Sequence, residues 1–198
     1  MRDYRALEAP EWFKGVDLLK PRQVNEFFEW YVKQSEERIN ILMEHCLKTT
    51  EGNLRLDFTP ESLIDLWKWY ETQMELVEKD PEELRKEIEN TPVDFREDIS
   101  KTDFSNYTYA LIIEIAFYFA EVMLRNNPTL HWGYITKPKN DINAKCPVLK
   151  GFSYNQTLNP VRIVTVLSLR SKDEKEINRL YEVYHVWVDS VKIGAFSL

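Results

Sequence analysis

The sequence predicts an α+β fold: a mostly helical single domain in which long helices pack around a central apolar helix, with a small sheet of short strands. Three observations support this prediction. The chain has 198 residues, close to the usual size of one domain. Residues 108–124 are almost continuously apolar, as in a helix that other elements surround. Short alternating segments are separate from the long helical patterns, which is typical of α+β proteins.

The first half of the chain contains two long helical patterns with a short strand pattern between them. The N-terminal part, residues 1–50, has helically spaced apolar residues from Pro21 to about Lys48, and proline suits the first turn of a helix. Alternating apolar residues predict a half-buried strand at 54–58. Thr59 and Pro60 then form a helix start signal, and we expect this helix to continue to Asp80-Pro81.

The middle of the chain carries the central helix and the rest of the sheet. A charged segment predicts a short helix at 82–89 and a loop from there to Asp103. The central helix must end at 126–128, because Pro128 disfavours helical geometry in the residue before it. Strands at 130–136 and 148–152 are expected to form a small sheet with the strand at 54–58.

Two further helices are predicted after the sheet. Asn159-Pro160 opens a helix that runs to about Arg170, and the C-terminal part, residues 171–198, contributes the last helix. The pattern contains no internal repeat and no low-complexity linker, so the chain 1–198 is predicted to be one domain.

Glu114 and Glu121 interrupt the apolar run of the central helix. Each would cost about 3 kcal/mol in a bilayer, so we predict a core helix and no membrane association. The two carboxylates could act as a proton-transfer pair or as metal ligands. The structural alternative, which we favour, is that Glu121 forms a helical ion pair with Arg125 four residues later.

The chain is acidic, and its charge is distributed unevenly along the sequence. The formal net charge is −7; residues 1–103 carry 15 Lys or Arg and 25 Asp or Glu, and residues 104–198 carry 11 and 8. The acidic balance disfavours nucleic acid as a ligand. A solvated acidic surface that keeps the protein soluble is the favoured interpretation, and attraction of a cationic partner is the alternative. Cys46 and Cys146 are predicted to be free thiols and the N-terminus has no secretory pattern, so we expect a cytoplasmic protein.

The sequence lacks the usual motifs of catalysis. It has no metal-ligand spacing, no nucleophile elbow and, with only five glycines, no phosphate-binding loop. We therefore predict no catalytic residue, no metal site and no cofactor. The alternative is a small hydrolase or transferase that uses Glu121, His131 or Cys146, with Cys146 paired in space to His131 or His185.

Two groups of side chains are candidates for binding a protein partner. Trp30 and Trp69 lie off the main apolar stripes of their helices. The favoured interpretation is that each lies on a second buried face of its helix; the alternative is that they are exposed, as tryptophans at binding hot spots are. The acidic residues Glu82, Glu83 and Glu87 of the predicted short helix are candidates for contact with a cationic partner.

A third group is basic. The loop between the last two predicted strands contains four lysines with one opposing acid, Asp141. A solvated loop is the favoured interpretation; the alternative is that an anion or an acidic partner binds there, which would make the protein a regulatory module. The four candidates are Lys137, Lys139, Lys145 and Lys150.

Two motifs carry a resemblance to a known class of proteins. In the first, a strand leads to a Pro-Glu-Ser-Leu helix start and a Trp-bearing helix; in the second, the central helix leads to a Trp-bearing strand. The matching residues are Pro60, Glu61, Ser62, Leu63 and Trp67 in the first motif, and Phe117, Ala120, Glu121, Val122, Arg125 and Trp132 in the second. With these motifs, residues 54–170 resemble uncharacterised small bacterial α+β domains of the immunity protein type in polymorphic toxin systems.

The resemblance implies a function as well as a fold. It implies a protein that neutralises a toxin by binding it, and it supplies no catalytic residue; residues 1–50 lie outside it. Together with the charge distribution, this favours a non-enzymatic cytoplasmic protein that binds another protein, with a cationic toxin as the expected partner. The hydrolase or transferase and the anion-binding module remain as alternatives.

Overall fold

The structure is a computed structural model that describes residues 4–195, with side chains described as far as residue 191. Its centre is helix α4, Asn106–Asn126, which begins where the Ser105 hydroxyl accepts a hydrogen bond from the Thr108 amide at 3.2 Å. Thirteen residues of α4 are buried. The central apolar helix and the mostly helical α+β class are therefore confirmed.

The described residues contain five other helices besides α4. They are α1 (Pro21–Thr49), α2 (Ser62–Gln73), α3 (Pro81–Asn90), α5 (Pro160–Ser171) and α6 (Arg179–Ala195). Helix α4 packs most extensively against α1 and α5, and α2 packs against α6. The predicted starts at Pro21 and Asn159-Pro160 are confirmed, and the Asn159 side chain caps α5 by accepting from the Arg162 amide at 3.1 Å. Residues 196–198 of the predicted last helix lie outside the described residues.

Helix α4 is also long and apolar enough to cross a membrane. Most of its residues, however, are buried against the rest of the protein. Its apolar character is therefore explained by packing inside the fold, as in the core helix of a soluble protein.

The prediction that α2 continues to Asp80 is wrong. The helix ends at Gln73, and residues Leu76–Glu78 form strand β1, which pairs antiparallel with β2, Thr102–Phe104. The chain leaves the helix because Thr108 of α4 binds the backbone of Glu75: the Thr108 hydroxyl accepts from the Glu75 amide at 2.8 Å and donates to its carbonyl at 3.0 Å.

The predicted strand at 54–58 is also absent. Leu54 and Leu56 are buried as the alternation predicted, but the described residues provide no strand that pairs with them. At the end of this segment, Phe58 has a positive φ of 64°, stacks on Tyr118 and donates its amide to the Tyr118 hydroxyl at 2.9 Å. Side-chain packing on α4 takes the place of strand pairing.

The second sheet has two strands instead of the three that we predicted. Strand β3, His131–Tyr134, pairs antiparallel with β4, Pro147–Lys150. The sheet lies against α1, where Trp132 meets Tyr31 with ring centroids 6.0 Å apart and Tyr134 meets Phe28 at 5.1 Å. The strands predicted at 130–136 and 148–152 are thus confirmed with slightly different ends.

Gly151, directly after β4, is required by the backbone. Its φ is +107°, and a Cβ atom would lie 2.3 Å from the Thr129 carbonyl oxygen. Gly52 also has a positive φ, +81°, but open space around it.

We expect Gly151→Ala to lower the free energy of unfolding by at least about 1 kcal/mol more than Gly52→Ala, because only the substitution at Gly151 adds a clash to the backbone strain. Urea denaturation of both variants measures this, and equal losses would contradict it.

Residues 4–19, which we call the N-terminal segment, form no regular helix or strand but follow the surface of α1. Phe13 stacks on Phe27 of α1 with centroids 4.5 Å apart. The Lys145 ammonium donates to the carbonyls of Asp17 and Leu19 at 2.8 and 2.9 Å. A residue far along the chain therefore holds this segment in place.

Candidate functional site

Residues 76–104, which we call the acidic arm, comprise β1, α3, a short 3-10 turn at Val93–Phe95 and β2. The arm contains ten Asp or Glu and five Lys or Arg. No residue from Glu75 to Asp103 is buried. The arm is therefore the part of the described structure in which the acidic charge of the first half of the chain is most accessible.

The acidic arm has a defined internal structure. The Asp80 carboxylate caps α3 by accepting from the amides of Glu82 and Glu83 at 2.9 and 3.2 Å. Lys79, next to β1, contacts Glu87 of α3 with 2.6 Å between the ammonium nitrogen and a carboxylate oxygen. Of the three predicted acidic residues, Glu82 and Glu83 are free of ion pairs among the described residues, whereas Glu87 helps to hold the arm together.

The base of the arm is fixed to the rest of the protein. The Phe104 side chain is buried, and the ammonium of Lys172, directly after α5, lies 4.4 Å from its ring centroid. The Tyr109 hydroxyl of α4 donates to the Asp103 carboxylate at 2.7 Å. These contacts hold β2 on the end of α4 and so orient the whole arm.

The acidic arm also exposes apolar side chains. Val93 and Phe95, on the 3-10 turn, are 71% and 61% exposed. Other large apolar residues exposed in the arm are Leu76, Val77 and Ile88. Large apolar side chains exposed together on one segment, with polar residues around them, are candidates for a protein interaction surface.

The two candidate tryptophans lie in different surroundings. Trp69 is buried, and its indole NH donates to the Thr49 hydroxyl at 2.8 Å, so it packs inside the fold and is not part of an exposed surface. Trp30 is half-buried, stacks on Phe27 with centroids 5.7 Å apart, and lines a cavity beside α1.

The four candidate lysines do not share one role. Lys137 and Lys139 are exposed. Lys145 instead binds backbone carbonyls of the N-terminal segment. The Lys150 side chain crosses Gly133 of the neighbouring strand, where a Cβ atom would lie 2.4 Å from the Lys150 Cδ. Of the four positive charges, that of Lys145 is engaged within the fold, which weakens the case for a site formed by all four lysines.

The residues of the enzyme alternative are not assembled. Cys146 lines the cavity beside α1, His131 is exposed on β3, and His185 packs against Tyr181 with ring centroids 4.4 Å apart. Burial raises the pKa of the Cys146 thiol, which disfavours the nucleophilic thiolate. Within the part of the chain with described side chains, residues 4–191, no three His, Cys, Asp or Glu residues converge as a metal site.

The two carboxylates of the central helix differ in their surroundings. Glu121 forms the predicted ion pair with Arg125 at 2.7 Å. Glu114 is fully buried and contacts Arg38 of α1, which is itself 3% exposed. The Tyr4 hydroxyl donates to the other oxygen of Glu114, and Arg38 also donates to the Arg5 carbonyl. The two residues are thus in separate environments and do not form a proton-transfer pair.

The Arg38–Glu114 contact is structural. Burial raises the pKa of the Glu114 carboxyl, and the adjacent guanidinium opposes that rise by favouring the carboxylate. Sequence reasoning missed Arg38, although a signal was present: it lies seven residues after Tyr31 and four before Leu42, in phase with the apolar stripe of α1. A charged residue on a buried stripe requires a buried partner.

Comparisons of the chain with protein-family models, with curated proteins and with solved structures find no match in any of the three. No family is assigned. The resemblance to immunity proteins therefore rests on the two sequence motifs alone and stays a prediction.

Proposed function

We propose that this protein acts by binding another protein through the acidic arm. The observation that supports the proposal is that five large apolar side chains are exposed on a segment with no buried residue between Glu75 and Asp103. In a protein with a well-filled core, such residues are available to contribute to a binding interface.

The charge of the acidic arm indicates the class of partner. With ten acidic and five basic residues, its formal charge is −5. A positively charged protein surface would associate with it faster than a neutral one would. We propose a cationic protein as the partner, and a toxin in the cytoplasm as the specific case that the motif resemblance suggests.

The apolar and acidic residues of the arm should contribute to binding in different ways. Phe95, an exposed aromatic beside Val93, is the expected anchor, because a few large side chains usually supply most of the binding energy. Glu83 and Glu97 are exposed acids that should affect mainly the association rate. Glu87 is not suitable for this test, because its substitution would break the ion pair with Lys79 inside the arm.

The partner can be sought by photo-crosslinking in the cells that make this protein. A photoreactive amino acid replaces Phe95, and a matched control places it at Val186, which is 67% exposed on α6. We expect a specific crosslinked protein from position 95 and not from position 186. That protein is then purified for kinetic binding measurements.

The kinetic measurements test the proposed roles of the arm. Phe95→Ala should weaken binding by about 5- to 30-fold, as expected for a hot-spot residue, and Tyr154→Ala, an exposed aromatic outside the arm, should have no effect. Glu83→Gln with Glu97→Gln should lower the association rate. Salt should lower it too, because the screening length falls from about 10 Å at 0.1 M to about 3 Å at 1 M. Equal crosslinking at both positions, or binding that ignores salt and these substitutions, would contradict the proposal.

A further inference from the structure

The two-stranded sheet of the acidic arm has two outer edges. In an antiparallel pair, the backbone groups of every second residue point to the partner strand, and those of the residues between them point away from it. Here the Lys79 amide donates to the Lys101 carbonyl at 2.9 Å, across the sheet. By this alternation, the backbone groups of Val77 face β2, and those of Leu76 and Glu78 face the outer edge of β1.

The outer edge of β1 is open. Among the residues that the structure describes, none forms a hydrogen bond with the backbone amide or carbonyl of Leu76 or Glu78. Both residues are exposed, and β2 is the element that packs most extensively against β1. An edge strand with unpaired amides and carbonyls is a template for a further strand.

The outer edge of β2 is closed by nearby side chains. The Thr102 amide donates to the Ser100 hydroxyl at 3.3 Å, and that hydroxyl donates to the Thr102 carbonyl at 2.9 Å. The Phe104 amide donates to the Asp103 carboxylate at 2.7 Å. A strand that paired with β2 would have to replace these bonds, whereas a strand that paired with β1 would break no bond described in the fold. The sheet is therefore open on the β1 side.

The surroundings of the open edge indicate the kind of strand that it accepts. Leu76 and Val77 expose apolar side chains there, and Glu78 adds an exposed carboxylate. The acidic arm as a whole carries ten acidic and five basic residues, a formal charge of −5. A basic segment that also contains apolar residues matches both features. A second copy of this chain matches less well, because two arms of the same negative charge repel each other.

We propose that the acidic arm captures an extended, basic segment of its protein partner, which pairs with the open edge of β1 as a third strand. The inference rests on the proposed function, since it names the way in which a cationic partner engages the arm. Main-chain hydrogen bonds to Leu76 and Glu78 supply affinity, and the alternate side chains of the segment supply specificity. A basic residue of the segment lies beside Glu78, and an apolar one lies beside Val77.

A synthetic peptide, acetyl-Lys-Val-Lys-Val-Lys-Val-Lys-amide, tests the proposal on the full chain. Valine favours the extended conformation, and lysine supplies positive charge beside Glu78. The readout is amide hydrogen exchange, followed for each residue by NMR. We expect the Leu76 and Glu78 amides to exchange fast in the free protein and at least about 2-fold more slowly at the highest peptide concentration. The Val77 amide, which already faces β2, should not change.

Two control peptides separate the contributions of hydrogen bonds and charge. Methylation of every backbone nitrogen keeps the charges of the peptide but removes its hydrogen-bond donors, so this peptide should give no protection. Replacement of the lysines by glutamate keeps the donors and reverses the charge. It should weaken binding at least about 3-fold, because the arm is acidic.

Variants of the protein assign the binding to the edge of β1. Glu78→Pro removes an amide that faces away from β2, and proline is tolerated at such a position of an edge strand. It should weaken peptide binding at least about 5-fold, whereas Glu78→Gln, which removes the same charge and keeps the amide, should weaken it less than about 3-fold. Slow exchange of the Val77 amide in Glu78→Pro verifies that β1 and β2 remain paired. If that pairing is lost, the exchange pattern of the wild type alone decides.

Three results would overturn the proposal: no protection of the Leu76 and Glu78 amides up to the solubility limit of the peptide, equal binding of the methylated peptide, or equal effects of Glu78→Pro and Glu78→Gln in folded protein. Slow exchange of both amides in the free protein, together with a dimer in sedimentation, would mean that a second copy already occupies the edge, and would overturn it too. The proposed function fails separately, if position 95 crosslinks no protein in cells.

Discussion

Replacement of Arg38 by Met should lower the free energy of unfolding by about 3–5 kcal/mol, because it leaves the Glu114 carboxylate buried without its counter-charge. The hydrocarbon part of the arginine is largely preserved by methionine, so the loss reports mainly on the charge. It would also remove the hydrogen bond to the Arg5 carbonyl. Urea denaturation, with circular dichroism as the signal, measures the change.

Two further variants make this test specific. The double variant Arg38→Met/Glu114→Leu removes both charges and should recover a large part of the stability, since apolar replacement of a buried pair is often neutral or better. Glu121→Gln, which breaks the partly exposed pair with Arg125, should cost less than about 1 kcal/mol. The single variant Glu114→Leu completes the comparison. If the free energy of unfolding lost in the double variant equalled the sum of the losses in Arg38→Met and Glu114→Leu, the two residues would not be acting as a pair.

Phe117→Ala should also lower the free energy of unfolding by about 3–5 kcal/mol, the range measured when a buried phenylalanine is truncated. Phe117 is 0% exposed at the centre of α4 and stacks on Tyr31. Its loss would leave a cavity between α4 and α1. The same urea denaturation assay gives the change in free energy.

The acidic arm provides the matched control for this prediction. Phe95→Ala makes the same chemical change at a side chain that is 61% exposed, and it should alter the free energy of unfolding by no more than about 0.5 kcal/mol. A loss below about 1 kcal/mol for Phe117→Ala would mean that α4 is not the centre of the core.

The elements that could be predicted are those whose signals are local in sequence. Pro21 and Asn159-Pro160 set helix starts through their own backbone preferences, and Asn127-Pro128 ends α4 in the same way. The long apolar run of α4 needs no knowledge of its neighbours to be recognised as a buried helix. Each of these signals acts within a few residues, so the sequence alone is enough to identify them.

The elements that could not be predicted depend on distant residues. The apolar stripe of α2 continues in sequence to Val77, but the chain leaves the helix because Thr108 binds the Glu75 backbone. Leu54 and Leu56 have the alternation of a strand, but Tyr118 of α4 binds the end of that segment in place of a partner strand. Both differences from the predicted structure therefore depend on contacts between residues that are about 30 to 60 positions apart in the sequence.

The candidate functional residues also differ in whether the local sequence could predict their surroundings. The accessibility of Glu82 and Glu83 follows from local composition, because a helix so rich in charge has little apolar surface to bury. The Tyr31 hydroxyl is different. It is buried without a hydrogen-bond partner among the described residues, and no pattern in the neighbouring sequence of α1 indicates this.

The long-range contacts that hold the N-terminal segment in place have a consequence for the synthesis of the chain. Residues 4–19 leave the ribosome well before Glu114, which binds Tyr4, and before Lys145, which binds the carbonyls of Asp17 and Leu19. Contacts so distant in sequence form late, because a long loop must first be closed. During translation, the contacts with Glu114 and Lys145 therefore cannot form until those residues have been made, and in that interval a chaperone could bind the segment.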